Sequence, residues 1–183
     1  AAGALRSLGV TRLEGIWAAG AVAEPSWHQP HLPGTEVGAQ PPPLTEMTPV
    51  ERLATDYQTM GLSTDEHPME LLRARLLGRG VLSLAKLPQE RAGARVEIAG
   101  IVTHRQRPST AGGTTFLSLE DETGLANVIC STGLWKRYRQ IALEAPAIVV
   151  RGRVEKGQGA VALVADRLEA LRLPVRSRSR DFR

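Results

Sequence analysis

Thiols and aromatic rings are scarce in this 183-residue chain. Cys130 is the single cysteine, so an internal disulfide is excluded, and one thiolate is too few for a zinc cluster. Aromatic residues make up only 4% of the sequence, so a core must be built mainly from Leu, Val, Ile and Ala. No apolar run approaches the roughly 18 residues of a membrane helix. We therefore expect a soluble, cytoplasmic protein that has no membrane partner and buries Cys130.

Acidic charge is scarce in the second half of the chain. Residues 93–183 carry fifteen basic and nine acidic side chains, whereas residues 1–44 and 45–92 each carry a net charge of −1. A basic half beside a nearly neutral one favours a polyanionic partner, most often nucleic acid. The alternative is an ordinary solvated surface that is rich in arginine.

Helix and linker signals precede the basic half. Residues 1–22 have apolar side chains at helical spacing, interrupted at Gly9, and predict the end of a helical module. Residues 23–46 contain six of the twelve prolines, which predicts an extended linker. Within it, His28 and His31 have no Cys, Asp or further His nearby, so we predict no metal site.

Residues 47–92 predict a helical connection between this linker and the basic half. Thr48 is suited to cap a first helix, because Glu51 completes a capping box three residues later. Pro68 is suited to the first turn of a second helix. Gly78 is suited to its end.

The apolar pattern changes to a period of two over residues 93–173. It divides into three strands, one helix and two further strands, which is the order of an OB-fold barrel. Gly100 lies halfway along the first strand, where such a barrel requires a bend. The helix presents one apolar face, formed by Leu134, Tyr138 and Ile141. We predict a mixed, mainly β protein: a five-stranded OB-fold barrel preceded by short helices and a Pro-rich linker, and followed by a basic tail, residues 174–183.

Basic side chains on the fourth predicted strand are candidates for DNA contact. Alternation places Val150, Gly152 and Val154 on one face and Arg151 and Arg153 on the other, with Lys156 in the following turn. Guanidinium groups contact phosphates and stack on bases, so this face is suited to single strands. The alternative is that the arginines pair with nearby acids: Glu144, Glu155 or Asp166.

Phe116 and the loop before it complete the candidate surface. If Leu117 and Leu119 face the core, Phe116 faces outward, where OB-folds stack bases. A bulge that shifts the register would bury Phe116 instead. The loop supplies Arg105 and Arg107 as a basic clamp on a nucleic-acid backbone.

The consecutive acids Glu120, Asp121 and Glu122 invite a catalytic interpretation. Side chains of consecutive strand residues alternate in direction, so these three cannot converge on a pair of metal ions. Followed by Thr123 and Gly124, they predict a hairpin turn in which Gly124 adopts a positive φ angle. We predict no catalytic residue in this chain.

These motifs also resemble a known family. The stretch "VEIAGIVTHRQRPSTAGGTTFLSLEDETGLANVI" resembles the OB-fold segment of bacterial C-family DNA polymerase alpha subunits, and specifically that of their error-prone branch. Its helical connection is similar to "GLSTDEHPMELLR", and its helix-hairpin-helix module ends in a way similar to "AGALRSLGVTRLEGIWAAGA". Its chain terminus resembles "SRSRDFR".

The resemblance implies a C-terminal fragment of a translesion polymerase that acts in DNA replication and in the repair of DNA damage. In this family the OB-fold lies near the single-stranded template, and the helix-hairpin-helix module contacts duplex DNA. An accessory protein related to lesion-bypass polymerases links such enzymes to the sliding clamp. The parent enzyme would use Mg²⁺, whereas this fragment lacks the palm and its aspartates and would bind no cofactor.

Our leading interpretation is a noncatalytic module that holds single-stranded DNA. The predicted contacts are Arg105, Arg107, Phe116, Arg151, Arg153 and Lys156. One alternative is an OB module that binds RNA or an anticodon. Another is a protein-interaction OB-fold that does not bind nucleic acid.

Overall fold

A computed structural model describes residues 4–23, 41–60, 63, 66–157, 159–173 and 180–182. Two compact units make up the chain, Ala1–Ser63 and Thr64–Arg183. Their boundary lies inside the predicted helical connection. Most of the Pro-rich linker, including its two histidines, lies outside the described residues. Within the described ranges, no helix is both long and apolar enough to cross a membrane.

The first unit contains helices α1 (Arg12–Ala23) and α2 (Pro49–Thr59). Helix α2 begins with the predicted capping box: the Thr48 hydroxyl accepts from the Glu51 amide at 3.3 Å, and the Glu51 carboxylate accepts from the Thr48 amide at 2.8 Å. These bonds satisfy two amides that the first helical turn leaves unpaired.

An ion pair joins the two helices of this unit. The Arg12 guanidinium donates to both carboxylate oxygens of Asp56, at 2.5 and 3.2 Å. Asp56 is only 1% exposed, and the Ser63 hydroxyl donates to it as well, at 2.8 Å. Because a buried carboxylate needs partners, this pair fixes how α1 lies against α2.

The second unit begins with helix α3 (Glu70–Gly78) and continues into a closed barrel. Its strands are β1 (Arg95–Gln106), β2 (Thr115–Asp121), β3 (Gly124–Cys130), β4 (Ala147–Gly157) and β5 (Ala160–Ala170). Strand β1 pairs with both β2 and β4, β3 pairs with β2, and β5 pairs with β4, all antiparallel; β3 and β5 close the barrel in parallel. The predicted OB-fold is confirmed. A short strand, β6 (Arg180–Phe182), pairs in parallel with the end of β1.

Two glycines allow neighbouring strands to approach closely. A Cβ atom at Gly100 would lie 2.8 Å from the carbonyl oxygen of Glu120 in β2. A Cβ atom at Gly152 would collide with the carbonyl oxygen of Val164 in β5, next to an irregularity in the β4–β5 register. Only glycine avoids both clashes, so these positions permit the curvature of the barrel.

Apolar side chains from alternate strand positions fill the barrel. The buried members include Ile98, Val102, Leu117, Leu119, Val128, Cys130, Ile148, Val150, Val154 and Leu163. The connection between β3 and β4 caps this core, but it forms two helices, α4 (Thr132–Arg137) and α5 (Arg139–Glu144), where the sequence predicts one. The chain breaks at Tyr138, whose φ of −111° and ψ of +27° are not helical.

The predicted apolar face of this connection packs as expected across the break. Leu134 is buried, and Tyr138 and Ile141 pack against the core while remaining partly exposed. The two short helices therefore provide the packing expected of one longer helix.

A second apolar cluster covers part of the outside of the barrel. Met69, Leu72 and Leu76, at the start of α3 and within it, pack against Ala99 and Ile101 of β1. Ala147 and Val149 of β4 belong to the same cluster. One half of β1 and β4 is therefore buried on both faces.

Candidate nucleic-acid interface

Strand β2 presents Phe116 on the outer face of the barrel. Its neighbours Leu117 and Leu119 point inward and are fully buried, whereas Phe116 is partly exposed. Phe116 pairs with Gln106 on one side and Ile129 on the other. The pairing with β3 has no shift, and the shift in the pairing with β1 lies between Val102 and His104, so it leaves Phe116 facing outward. The ring is therefore placed where a base can reach it.

A continuous row of side chains extends from Phe116 across three further strands to β1. Phe116 pairs with Ile129, Ile129 with Val164, Val164 with Arg153, and Arg153 with Arg95. Residues paired in this way point to the same face of a sheet. All five are partly or fully exposed. We call this set the outer row; it has an apolar end and a basic end.

The arginines of β4 are exposed at the basic end. The Arg151 Nε donates to Asp166 Oδ1 at 2.7 Å, and this hydrogen bond raises the pKa of Arg151. Asp166 also forms an ion pair with Arg95, whose Nε lies 3.3 Å from Oδ2. Arg153 forms no ion pair with any residue that the structure describes. The alternative of nearby acidic partners therefore holds for Arg151 and not for Arg153.

Lys156 lies at the end of β4, beyond these arginines. Its ammonium group donates to the carbonyl oxygen of Pro88 at 2.8 Å, and the side chain is exposed. Pro88 belongs to a short 3-10 helix, Leu84–Gln89, that precedes the barrel. Since its one protein partner here is neutral, Lys156 keeps its charge available to an anion.

The loop between β1 and β2 presents Arg107, which is exposed. Gly112 and Gly113 have φ angles of +58° and +85°, a region that favours glycine. A Cβ atom at Gly113 would lie 2.9 Å from the hydroxyl oxygen of Thr132, which also donates to the Gly112 carbonyl at 3.4 Å. The loop is thus held against the start of α4.

Arg105 does not lie on this surface. The sequence interpretation places it beside Arg107 in a basic loop, whereas the structure places it in β1 and leaves it 6% exposed. Its guanidinium donates to the carbonyl oxygens of Ala142 and Ala145, at 2.7 and 2.6 Å. It pairs with the buried Leu117, so it points inward and binds carbonyls at the end of α5. We therefore leave Arg105 out of the candidate interface.

The acidic run forms a structural turn. Asp121 is 3% exposed and accepts from the amides of Leu84, Thr123 and Gly124, at 2.9, 2.7 and 3.1 Å. Its Oδ2 also accepts from Arg73 at 2.6 Å. Gly124 has a positive φ of +148°, as predicted. With these partners, the Asp121 carboxylate does not fit the role of a metal ligand.

Sequence reasoning missed Arg73. From helix α3 its guanidinium reaches both Asp121 and Glu122, and the hydrogen bond to Glu122 raises the pKa of Arg73. We call Arg73, Asp121 and Glu122 the hairpin latch, because they fasten α3 to the β2–β3 hairpin. The partners are separated by 48 and 49 residues, and no local pattern marks such a pair.

Among the described residues, neither the cysteine nor a cluster of metal-ligating side chains provides a further chemical site. Cys130 is fully buried, and burial raises the pKa of its thiol to about 12, so the nucleophilic thiolate is disfavoured. Across the described part of the chain, no three His, Cys, Asp or Glu side chains gather in a way that could hold a metal ion.

Comparison with known proteins shows which families this chain resembles. Residues 96–171 match a family model described as an OB-fold nucleic acid binding domain. A protein of Nocardia farcinica named error-prone DNA polymerase is 51% identical over 181 residues, which are 99% of this chain and 15% of that protein. A protein of the same name from Mycobacterium bovis is 47% identical over 182 residues, 100% of this chain and 16% of that protein.

This chain is homologous to a segment of the error-prone DNA polymerases. It spans only 15–18% of the length of such relatives. Among solved structures, an asparaginyl-tRNA synthetase from Pyrococcus horikoshii is similar with a TM-score of 0.43 and 18% identity, over 51% of this chain and 23% of that chain. The match to the OB-fold family model therefore lies within a stretch that is similar to part of those polymerases.

Proposed function

We propose that this chain is a noncatalytic DNA-binding region of an error-prone DNA polymerase, whose barrel holds single-stranded template. The observation that carries this proposal is the outer row, which places a partly exposed aromatic ring and two exposed arginines, Arg95 and Arg153, on one face of an OB-fold. Homology to polymerases supports DNA as the nucleic acid.

The two ends of the outer row contact different parts of the nucleic acid. At the apolar end, Phe116 stacks on a base and Ile129 extends the contact; stacking on an aromatic side chain is worth about 1–3 kcal/mol per base. At the basic end, Arg153 contacts the backbone, together with Arg151 and Lys156. Such contacts do not depend on base identity, so the surface is suited to a template of any sequence.

Arg107 adds a cation at the loop between β1 and β2. Because that loop is held against α4, its position relative to β2 is defined. We propose that Arg107 contacts a phosphate next to the base that stacks on Phe116.

Homology extends the proposal to the parent protein. We propose that it catalyses DNA-directed DNA synthesis with Mg²⁺ through residues outside this chain, and that it acts in translesion synthesis during replication and repair in the cytoplasm. Its accessory partner would be a lesion-bypass protein linked to the sliding clamp, and the N-terminal helices of this chain would lie near duplex DNA.

A salt titration with labelled single-stranded DNA tests the function of this chain. Binding is measured by fluorescence anisotropy on the 183-residue protein. We expect affinity to fall linearly on a log–log plot, with a slope of about −0.7 for each phosphate contacted. Competition with RNA of the same sequence distinguishes the nucleic acids: preference for RNA would favour an RNA-binding module, and no salt-sensitive binding would favour a protein-interaction module.

A further inference from the structure

Two arginines face each other directly across β1 and β4. Arg95 and Arg153 are partners in the antiparallel register, which places their Cβ atoms about 5 Å apart. Like charges in this arrangement repel each other. In the described structure, the carboxylate that binds Arg95 is that of Asp166, which is shared with Arg151. Two guanidinium groups thus share one carboxylate, and the third, that of Arg153, forms no ion pair with a described residue.

A basin of about 550 Å³ lies beside this arginine pair. Its lining includes Arg95, Arg153 and Lys156 as cations and Asp166 and Glu155 as anions. Asp166 is already engaged by arginines, and Arg95 is exposed over 66% of its side chain. The basin therefore has more positive charge than its own carboxylates balance.

We propose that this basin binds a backbone phosphate of single-stranded nucleic acid between Arg95 and Arg153, and that Asp166 limits the affinity by competing for Arg95 and Arg151. A phosphate placed there would relieve the repulsion within the arginine pair. Guanidinium groups suit this ligand, because their planar arrays of N–H donors match phosphate oxygens. The inference rests on the proposed function and assigns Arg95 and Asp166 a role in it.

The basin is continuous with the stacking surface. Val164 lines it and is also the partner of Ile129, which in turn is the partner of Phe116. Strands lie about 4.8 Å apart, so the three steps from β2 to β4 span roughly 14 Å along the sheet. One strand of nucleic acid therefore reaches from Phe116 to Arg153 and the basin beside it.

The first test compares Arg95→Gln with a matched control, Arg139→Gln. Both changes remove one positive charge, and Arg139 is an exposed residue of α5. Binding of labelled single-stranded DNA is measured over a salt series. We expect Arg95→Gln to reduce the magnitude of the salt slope by about 0.7 and to lower affinity roughly fivefold at 0.1 M salt, because one phosphate contact is lost. Arg139→Gln should leave the slope unchanged.

The second test changes the competing carboxylate. Asp166→Asn should raise affinity, by up to roughly fivefold at 0.1 M salt if it frees one cation for a phosphate. Its control is Glu144→Gln on α5, which removes the same charge away from the basin and should have a smaller effect. Urea unfolding of each variant verifies that it is folded.

The outcomes separate the inference from the function on which it rests. Salt-dependent binding by the unchanged protein, with equal slopes for Arg95→Gln and Arg139→Gln, would overturn the basin and leave the proposed function standing. An affinity that does not rise with Asp166→Asn would overturn the competition. If the unchanged protein does not bind single-stranded DNA, both the function and the basin are refuted.

Discussion

The outside of the barrel has a covered half and an open half, and β4 contributes to both. Every residue from Ala147 to Val150 is buried, because the core lies on one side and the cluster around α3 on the other. Beyond that point, Arg151 and Arg153 are exposed while Val154 is buried. An unbroken run of apolar residues therefore marks a strand that is covered on both faces, whereas alternation of apolar and polar residues marks a strand with one open face.

Arginines differ in the same way between buried and open positions of this unit. Arg73 and Arg105 bind protein oxygens in the interior or at its edge, so their charge is satisfied by the fold. Arg153 is exposed and forms no ion pair within the described ranges. The count of basic residues alone does not separate these roles.

Removing a carboxylate from the hairpin latch should lower the free energy of unfolding more than the substitutions that follow. Asp121→Ala leaves three amides without their acceptor and Arg73 with Glu122 as its remaining carboxylate partner. Each buried donor left unsatisfied costs about 1–3 kcal/mol, so we expect a total loss of about 3–5 kcal/mol. Urea denaturation measures this loss. The control is Glu120→Ala, a change at the neighbouring, partly exposed position, which should alter stability by about 0.5 kcal/mol or less. Equal effects of the two changes would show that the latch does not stabilise the hairpin.

Truncating a buried side chain in the covered half should lower the free energy of unfolding nearly as much. Leu76 lies in α3 and is fully buried against the barrel. Leu76→Ala should therefore lower the free energy of unfolding by about 2–5 kcal/mol. Leu77, the next residue, is 51% exposed, and Leu77→Ala should have an effect of about 0.5 kcal/mol or less. Similar losses from both changes would contradict the packing of α3 against the barrel.

Substitutions of Arg105 and Arg153 should separate the role of a buried arginine from that of an exposed one. Arg105→Gln removes charged hydrogen bonds at the end of α5 and should cost about 1.5–3 kcal/mol of stability, with no specific loss of DNA affinity by the folded protein. Arg153→Gln should do the reverse: stability changes by about 0.5 kcal/mol or less, and affinity falls. Thermal unfolding and anisotropy measured on both variants check this. A loss of affinity without a loss of stability in Arg105→Gln would return that residue to the interface.

The sequence predicts the local features of this fold and misses the distant contacts. Alternation predicts the five strands, and spacing predicts the Thr48 capping box, because both depend on residues close in the chain. The latch depends on Arg73 meeting acids 48 and 49 residues away. Arg105 lies inside because a register shift between Val102 and His104 turns it to the inward face, opposite Leu117. These contacts follow from tertiary packing, on which composition and period carry no information.

Phe116→Ala removes the ring through which the open half is proposed to bind single-stranded DNA. We measure single-stranded DNA affinity and the free energy of unfolding on the same preparation. We expect the free energy of binding to weaken by about 1–3 kcal/mol for a stacked base. The free energy of unfolding should fall by less than the roughly 3–5 kcal/mol expected for a fully buried phenylalanine. A loss of about 3–5 kcal/mol in stability, with unchanged affinity of the folded protein, would contradict this proposal.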